Sequence, residues 1–250
     1  MNTTTVILSV LNGQEYLRRC IDSVLNQSMG DFEFIIIDDG STDDTPDIIK
    51  THLVDKRVKV ITHQRNRGIS KSINDALEIA TGKYVSFIEH DDWWVRDKLE
   101  VERGCFDDWG IGVVYSNSHI VQGSETKEMD VSNEKLENIR KGRNFINICA
   151  LTIEKRYLDA LKERDGNYID ESLVSSWDGD LLCRLLEVCR FRHNNKFVAY
   201  KQYHPGQISR RWIHHRDRVR VFSRYNRNPL SLMWNLYGIP LQRRAKNFIR

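Results

Sequence analysis

Residues 84–94 read YVSFIEHDDWW. An apolar run passes directly into Glu89, His90, Asp91 and Asp92, so three carboxylates fall within four positions. Acids so close repel one another and are poor strand formers, so the cluster needs a reason of its own. Crowded hard-oxygen donors suit Mg2+ or Mn2+, which take few protein carboxylates and complete their shell with phosphate oxygens. An ion held there would neutralise a diphosphate and stabilise it as a leaving group. The alternative is a solvated turn that caps the helix near residue 97, because turns favour Asp for local hydrogen bonds.

A second acidic stretch, DDGST at 38–42, carries the same ambiguity. Asp can accept from a nucleobase N–H or a ribose hydroxyl, and Gly lets a backbone approach a ligand closely. The same residues can equally form a loop and a helix cap. Neither G-x-G-x-x-G nor G-x-x-x-x-G-K-[ST] occurs, which argues against dinucleotide and P-loop sites.

The elements around these acids alternate between two periods. TVILSVL (5–11), EFIIID (33–38), RVKVIT (57–62) and YVSFI (84–88) predict strands. Between them, Leu17, Cys20, Ile21, Val24 and Leu25 recur at helical spacing over 14–27. Pro46 opens a second helix, and Ser70 caps a third that Gly82 stops. Strand–helix alternation with short loops predicts a parallel sheet covered on both faces, with ligands beyond the carboxyl ends of its strands. Both acidic stretches fall at such ends. Beyond residue 95 the pattern loosens. A strand over 111–123 continues into a turn or second strand, and 124–143 is a polar loop or short helix. An apolar run covers 145–153, and helices are predicted over 155–164 and 178–189. A strand over 196–203 precedes a basic helix over 213–225.

The chain has 250 residues and 40% hydrophobic content, enough for a sizeable core, and shows no internal repeat or linker. Residues 201–250 hold twelve Lys or Arg and one acid, Asp217, while the remainder carries a net charge of −8. A basic extension therefore follows an acidic body. The five cysteines form no C-x-x-C pair and suit reduced thiols in a cytoplasmic protein. No signal-peptide pattern and no membrane-spanning run is present.

Taken in order, SVLNGQEYLRRCIDSVLNQS (9–28), FEFIIIDDGSTDDT (32–45), NRGISKSINDALEIATGKYVSFIEHDDWW (66–94) and DKLE (97–100) resemble the donor half of family 2 glycosyltransferases with the GT-A fold. FINICALTIEKRYLDAL (145–161), YIDESL (168–173), WDGDLLCRLLE (177–187) and YHPGQIS (203–209) resemble the acceptor half. The likeness covers roughly residues 4–210, and the specificity lies in the ordered set. It implies a nucleotide-diphospho-sugar transferase domain over 1–210. Its Rossmann-like mixed α/β sheet is flanked by helices, with a donor half over about 1–100 and an acceptor half over about 101–210. Residues 211–250 form the basic C-terminal extension.

The resemblance also implies roles. Ser9, Leu11, Asn12, Asp38 and Asp39 match positions that hold the nucleotide of an activated sugar, and Asn66, Gly68 and Asn74 match the donor pocket. Asp91 and Asp92 match the metal and ribose contacts, and His204 is a candidate further metal ligand or diphosphate contact. Asp178 matches the general base. It opens a helix, where the macrodipole favours its ionised form, and a plain N-cap is its alternative role. The implied reaction is an inverting transfer from a nucleotide-diphosphate sugar to a glycan or lipid-linked acceptor, with Mn2+ or Mg2+ at the diphosphate. Three positions depart from the family pattern. Leu11 stands where many relatives have an aromatic residue, Glu89 replaces Asp, and Trp177 replaces Glu. Trp177 is either a sugar platform or a core residue, and Trp93 is core or acceptor-cleft wall.

Two other readings remain at this level: a nucleotidyltransferase, and a catalytically weak nucleotide-sugar-binding or scaffold protein. Nothing resembles a nucleic-acid platform. In the extension, bases alternate with Trp212, Ile213, Val219, Val221, Phe222 and Tyr225, and further apolar residues follow over 230–237. That pattern fits peripheral contact with an anionic bilayer at its cytoplasmic face. It equally fits packing on the domain, or a contact between copies of the chain.

Overall fold

The computed structural model describes residues 4–143, 145–207 and 212–226. Its first ninety residues alternate as expected: β1 Thr4–Val10, α1 Leu17–Leu25, β2 Phe32–Asp38, α2 Thr45–His52, β3 Val58–Thr62, α3 Ile69–Ile79 and β4 Tyr84–Glu89. β1 and β2 are buried almost throughout, as central parallel strands must be. α1 buries Leu17, Cys20, Ile21 and Val24, the single face that its spacing predicts. One cap differs. Gly68 at φ 91°, not Ser70, precedes α3. Ser70 lies inside the first turn and its hydroxyl donates instead to the Leu173 carbonyl at 2.6 Å.

The remaining elements are β5 Trp93–Trp94, α4 Lys98–Arg103, β6 Ile111–Gln122, β7 Glu125–Met129, α5 Glu137–Arg140, β8 Leu151–Glu154, α6 Lys155–Asp165, α7 Trp177–Leu185, β9 Arg190–Tyr203 and α8 Trp212–Tyr225. The sheet order is β3-β2-β1-β4-β8-β6-β9-β5, with β7 on the free side of β6. β3, β2, β1 and β4 are parallel. β8 runs antiparallel to both β4 and β6, and β6 and β9 are parallel.

β5 is the informative strand. It follows β4 by three residues, yet it pairs with Ala199 and Tyr200 of β9 at the other end of the strand order. Four backbone steps from Glu89 to Trp93 reach at most about 14 Å. The sheet therefore curls until the end of β9 stands over the end of β4.

Two expectations change. β9 begins at Arg190, six residues before the predicted strand, because β6 offers a partner to its polar first half. The polar 124–143 region contains both β7, exposed along most of its length and zipped to the overhang of β6, and α5.

Alternate residues of one strand enter two cores. Ile7, Ile35, Ile37 and Phe87 join Leu77, Trp177, Leu181 and Phe222 on one side. Val6, Leu8, Phe34 and Ile36 join Leu17, Ile21 and Trp94 on the other. Within the extension, Val221 and Phe222 are buried in the first core. For these two residues packing, not bilayer contact, is what the structure shows. Residues 227–250 and the side chains of Trp212 and Ile213 lie outside what the structure describes. No helix among the described residues is long and apolar enough to cross a membrane.

A buried ion pair binds α4 to the sheet. Lys98 and Glu102 are both fully buried and 2.9 Å apart. Lys98 Nζ donates to the Leu151 carbonyl at 3.0 Å, and Glu102 accepts from Ser116 at 2.8 Å and Thr152 at 2.6 Å. Removing one partner of such a pair leaves an uncompensated buried charge. Lys98→Met and Glu102→Leu should each destabilise the protein by about 3–5 kcal/mol, and the double variant should recover much of that loss. Urea unfolding checks this, and additive losses in the double variant would contradict it.

Candidate active site

Three loops meet at the carboxyl ends of β1, β2 and β3. Asn12 (φ 53°) accepts the Thr42 N–H at 2.8 Å, and its own N–H donates to Ser41 Oγ at 2.9 Å. The Gly13 N–H donates to Thr45 Oγ1 at 2.8 Å. Asp38 accepts the Ser41 N–H at 2.9 Å and so closes its own turn. Asp39 gathers the third loop. It accepts the Arg67 and Gly68 N–H groups, each at 2.9 Å, and pairs with His63 Nδ1 at 2.7 Å. Asn66 accepts the Gly68 N–H at 2.8 Å. Asn12, Asp38, Asp39, Asn66 and Gly68 thus belong to one laced edge, with Ser9 at the end of β1 and Leu11 just past it. Leu11, 37% exposed, offers it an apolar surface.

The acidic segment lies beside this edge, since Ser9 is in register with Glu89. The Glu89, Asp91 and Asp92 oxygens fall within 4.8 Å of one another. Their partners divide them. Lys201 Nζ, on β9, sits 2.6 Å from Glu89 and 3.9 Å from Asp92. Asp92 is fully buried and accepts the Gln202 N–H at 2.9 Å, and burial pushes its carboxyl up to about 8. Burial opposes the Lys201 ammonium too, but chiefly the charge of Glu89, 2.6 Å away, outweighs it and holds Lys201 above its ordinary value. Asp91 turns elsewhere. Its Oδ2 meets His204 Nε2 at 3.1 Å and Gln207 Nε2 at 2.8 Å. Burial would raise its carboxyl, but the charges of His90 and Lys201 and the Gln207 amide hold it below its ordinary value. A hard divalent ion keeps its ligands at about 2.1 Å, so two at a right angle stand about 3.0 Å apart. The Asp91–His204 separation fits adjacent corners of such a shell. Lys201 is the cation beside Glu89 and, at longer range, Asp92, and all three carboxylates remain within reach of one ion.

Asp178 lies in the first turn of α7. Its neighbour Trp177 lines a narrow cleft with Ser9, Glu89, Phe87 and Ile148. Burial, then the charge of Glu89, pushes the Asp178 carboxyl above its ordinary value.

The family model for glycosyl transferase family 2 matches residues 5–159, more than half of the chain. The chain belongs to glycosyl transferase family 2. It is 28% identical over 211 residues to an Escherichia coli UDP-Glc:alpha-D-GlcNAc-diphosphoundecaprenol beta-1,3-glucosyltransferase, covering 84% of this chain and 80% of that protein. Three other relatives are matched over only 28% to 43% of their own length. Among solved structures, S. aureus TarS 1-349 in complex with UDP-GlcNAc superposes with a TM-score of 0.73 at 22% identity, over 88% of this chain and 64% of that one. A mannosyltransferase from Pyrobaculum calidifontis in complex with GDP-Man and Mn2+ gives 0.63 at 16% identity, over 94% and 68%. The fold of this family 2 glycosyltransferase is therefore GT-A.

Other expected site residues of the family 2 chain take different places. Asn74 has its amide committed at both ends, accepting the Ile169 N–H and donating to the Ile169 carbonyl and Glu171, each at 2.9 Å. It ties α3 to the segment before α7 instead of opening toward the sheet edge. Trp177 is 5% exposed and meets Phe87 edge-on, so of its two readings the core one holds, with the cleft at its margin. Trp93 has the Arg19 guanidinium 3.5 Å over its ring and Tyr200 stacked at 4.9 Å, and Tyr200 stacks in turn on His119. Two groups this close to one ring must take opposite faces, so a sugar would meet only the edge of Trp93. Sequence reasoning missed Lys201, Gln207 and Arg19. Lys201 is a lone base among the aromatic residues of VAYKQY, which was the available signal.

Gly40 and Gly68 both have positive φ, at 81° and 91°. A Cβ on Gly40 would lie 2.7 Å from the Arg65 backbone, whereas one on Gly68 would meet nothing within 4 Å. Gly68→Ala should cost about 1–3 kcal/mol from backbone strain alone. Gly40→Ala should cost more, because the Arg65 backbone must also move. Equal losses in urea unfolding would show that the lacing around Gly40 is loose.

Proposed function

We propose that the chain moves a sugar from a nucleoside diphosphate sugar to a hydroxyl of a glycan or lipid-linked saccharide, inverting the anomeric centre. The observation that carries the reading is the meeting of the acidic segment and α7: Glu89 lines the same cleft as Trp177, and its charge acts on Asp178. A UDP-sugar donor and a diphospholipid-linked acceptor are supported by the substrates named for the E. coli relative. The UDP-GlcNAc complex of the TarS neighbour supports the donor. The laced edge from Ser9 to Gly68 is the proposed seat of the nucleotide.

Asp91 and His204 would hold Mn2+ or Mg2+, which when bound supplies positive charge to the departing diphosphate. The Mn2+ complex of the Pyrobaculum neighbour supports such an ion. Lys201 compensates Glu89 directly and stands 3.9 Å from Asp92. Asp178 takes the proton of the acceptor hydroxyl as its oxygen bonds to the anomeric carbon. The bond from that carbon to the diphosphate breaks, and its electron pair leaves with the nucleoside diphosphate.

Screening UDP-glucose and UDP-GlcNAc for Mn2+-dependent release of UDP tests the reading directly. Release of pyrophosphate instead, or full activity in excess chelator, would overturn it. Asp91→Asn and His204→Ala should each weaken Mn2+-dependent donor binding without unfolding the protein. Unchanged calorimetric titrations in both would refute the metal assignment.

Asp178→Asn should lower turnover by about 10²–10⁴ with donor affinity unchanged. A base works only when ionised, and a raised carboxyl protonates at higher pH than an ordinary aspartate. Turnover should therefore fall on acidification through a value above about 3.9, and that limb should vanish in Asp178→Asn. A flat profile down to pH 4 in the unmodified protein would mean that another group takes the proton.

A further inference from the structure

The residues on both sides of Asp178 are held by one element from the far end of the described chain. Asp217 of α8 is fully buried, and its Oδ2 accepts the N–H of Val174 at 2.9 Å and of Ser175 at 3.0 Å. His214 Nδ1 lies 2.6 Å from Ser175 Oγ and 3.2 Å from Ser176 Oγ. Past the carboxylate, Gly179 faces the Phe222 ring so closely that a Cβ there would be 2.9 Å from it. Asp180 Oδ1 accepts from Tyr225 Oη and Arg224, each at 3.1 Å. Residues 174, 175, 176, 179 and 180 thus all touch α8.

We propose that α8 is part of the catalytic apparatus, and that Asp217 is a positioning residue that fixes the backbone aiming Asp178. The proposal rests on the reading of Asp178 as the base. Three observations support it. Asp217 is the sole acid among residues 201–250, and its Oδ2 accepts from a different segment, not from its own helix. Ser176 stands at φ 59°, a left-handed conformation that a serine keeps only where its surroundings over-determine it. That turn sets the direction in which α7 leaves, with Asp178 in its first turn. Lastly, burial pushes the His214 imidazole down to about 4, so it is neutral and can accept from the serine hydroxyls. A brace of hydrogen bonds fixes geometry, and proton transfer depends on geometry before it depends on pKa.

The experiment measures UDP release from UDP-GlcNAc and UDP-glucose with Mn2+, donor affinity by calorimetry, and thermal unfolding. The variants are Asp217→Ala, Asp217→Asn, Ser176→Gly and Asp178→Asn, with the exposed Ser223→Ala as a control on the same helix. Asp217→Ala should lower turnover at least tenfold, with donor affinity within twofold of the unmodified chain. Asp217→Asn keeps an oxygen for both N–H groups and should recover most of the turnover. Ser176→Gly relaxes the left-handed turn. It should keep or raise the melting temperature while lowering turnover at least fivefold, and it carries the test if Asp217→Ala does not fold. Ser223→Ala should behave as the unmodified chain. Turnover unchanged in Asp217→Ala and Ser176→Gly beside an inactive Asp178→Asn would overturn the role of α8 alone. Turnover unchanged in Asp178→Asn would overturn the base reading and the proposal with it. Parallel loss of donor affinity and turnover in Asp217→Ala, without rescue by Asp217→Asn, would reduce α8 to a structural support.

Discussion

Three residues, His90 to Asp92, must carry the chain from β4 to β5. This short connection governs the site. Because β5 pairs with the end of β9, the sheet has to curl until two strands far apart in its order stand over one another. The connection is too short to avoid the junction, so its carboxylates are delivered under β9. Lys201, Gln202 and His204 reach them for that reason, and no separate loop is needed to bring metal-type ligands together. The acids that look misplaced at the end of a buried strand are the residues bridging a seam.

Charge then decides how the seam is used. Three carboxylates within 4.8 Å cannot all stay ionised without cations nearby. Lys201 supplies one cation from within the fold, bonded to Glu89, and burial leaves Asp92 holding its proton to about 8. Asp91 is the member left facing His204 and Gln207. Glu, where the family pattern has its first Asp, reaches Lys201 at 2.6 Å while staying within 4.8 Å of Asp91 and Asp92. The Arg19–Trp93–Tyr200–His119 stack clamps the same junction from its aromatic side.

Much of this was legible in the residue pattern, and the rest was hidden for identifiable reasons. The first four strands and three helices followed from apolar periodicity, because each element there buries one face or both. The loops from Ser9 to Gly68 were legible as a group from the ordered motifs. β5 was not, since two tryptophans carry no period. The first half of β9 was missed because RFRHNN is polar and becomes a strand only through pairing with β6. Lys98 and Glu102 sit at the i, i+4 spacing that ordinarily marks a solvated helix face, and nothing local signals that both are buried. The same limit applies to Asn74. Its motif suggested a ligand contact, whereas its partner, Ile169, lies 95 positions away.

β9 also restricts how this chain can vary in length. Its pairing with β6 is irregular near Asn194–Ala199 and regular again from Ala199 to Tyr203. Side chains on a strand alternate between faces, so gaining or losing one residue ahead of Ala199 would turn every later side chain over. A loss would bring the uncharged Gln202 amide to Glu89 and Asp92, a gain would bring Tyr200, and either way the ammonium would leave the two acids. Drift in length can be absorbed only at the tip of the β6–β7 hairpin, exposed at Gly123, because β6 up to Gln122 pairs with β9 as far as Tyr203. The irregular stretch of β9 acts as a phase setting for the strand, and the identity of the residue meeting the acids depends on its residue count as much as on its composition.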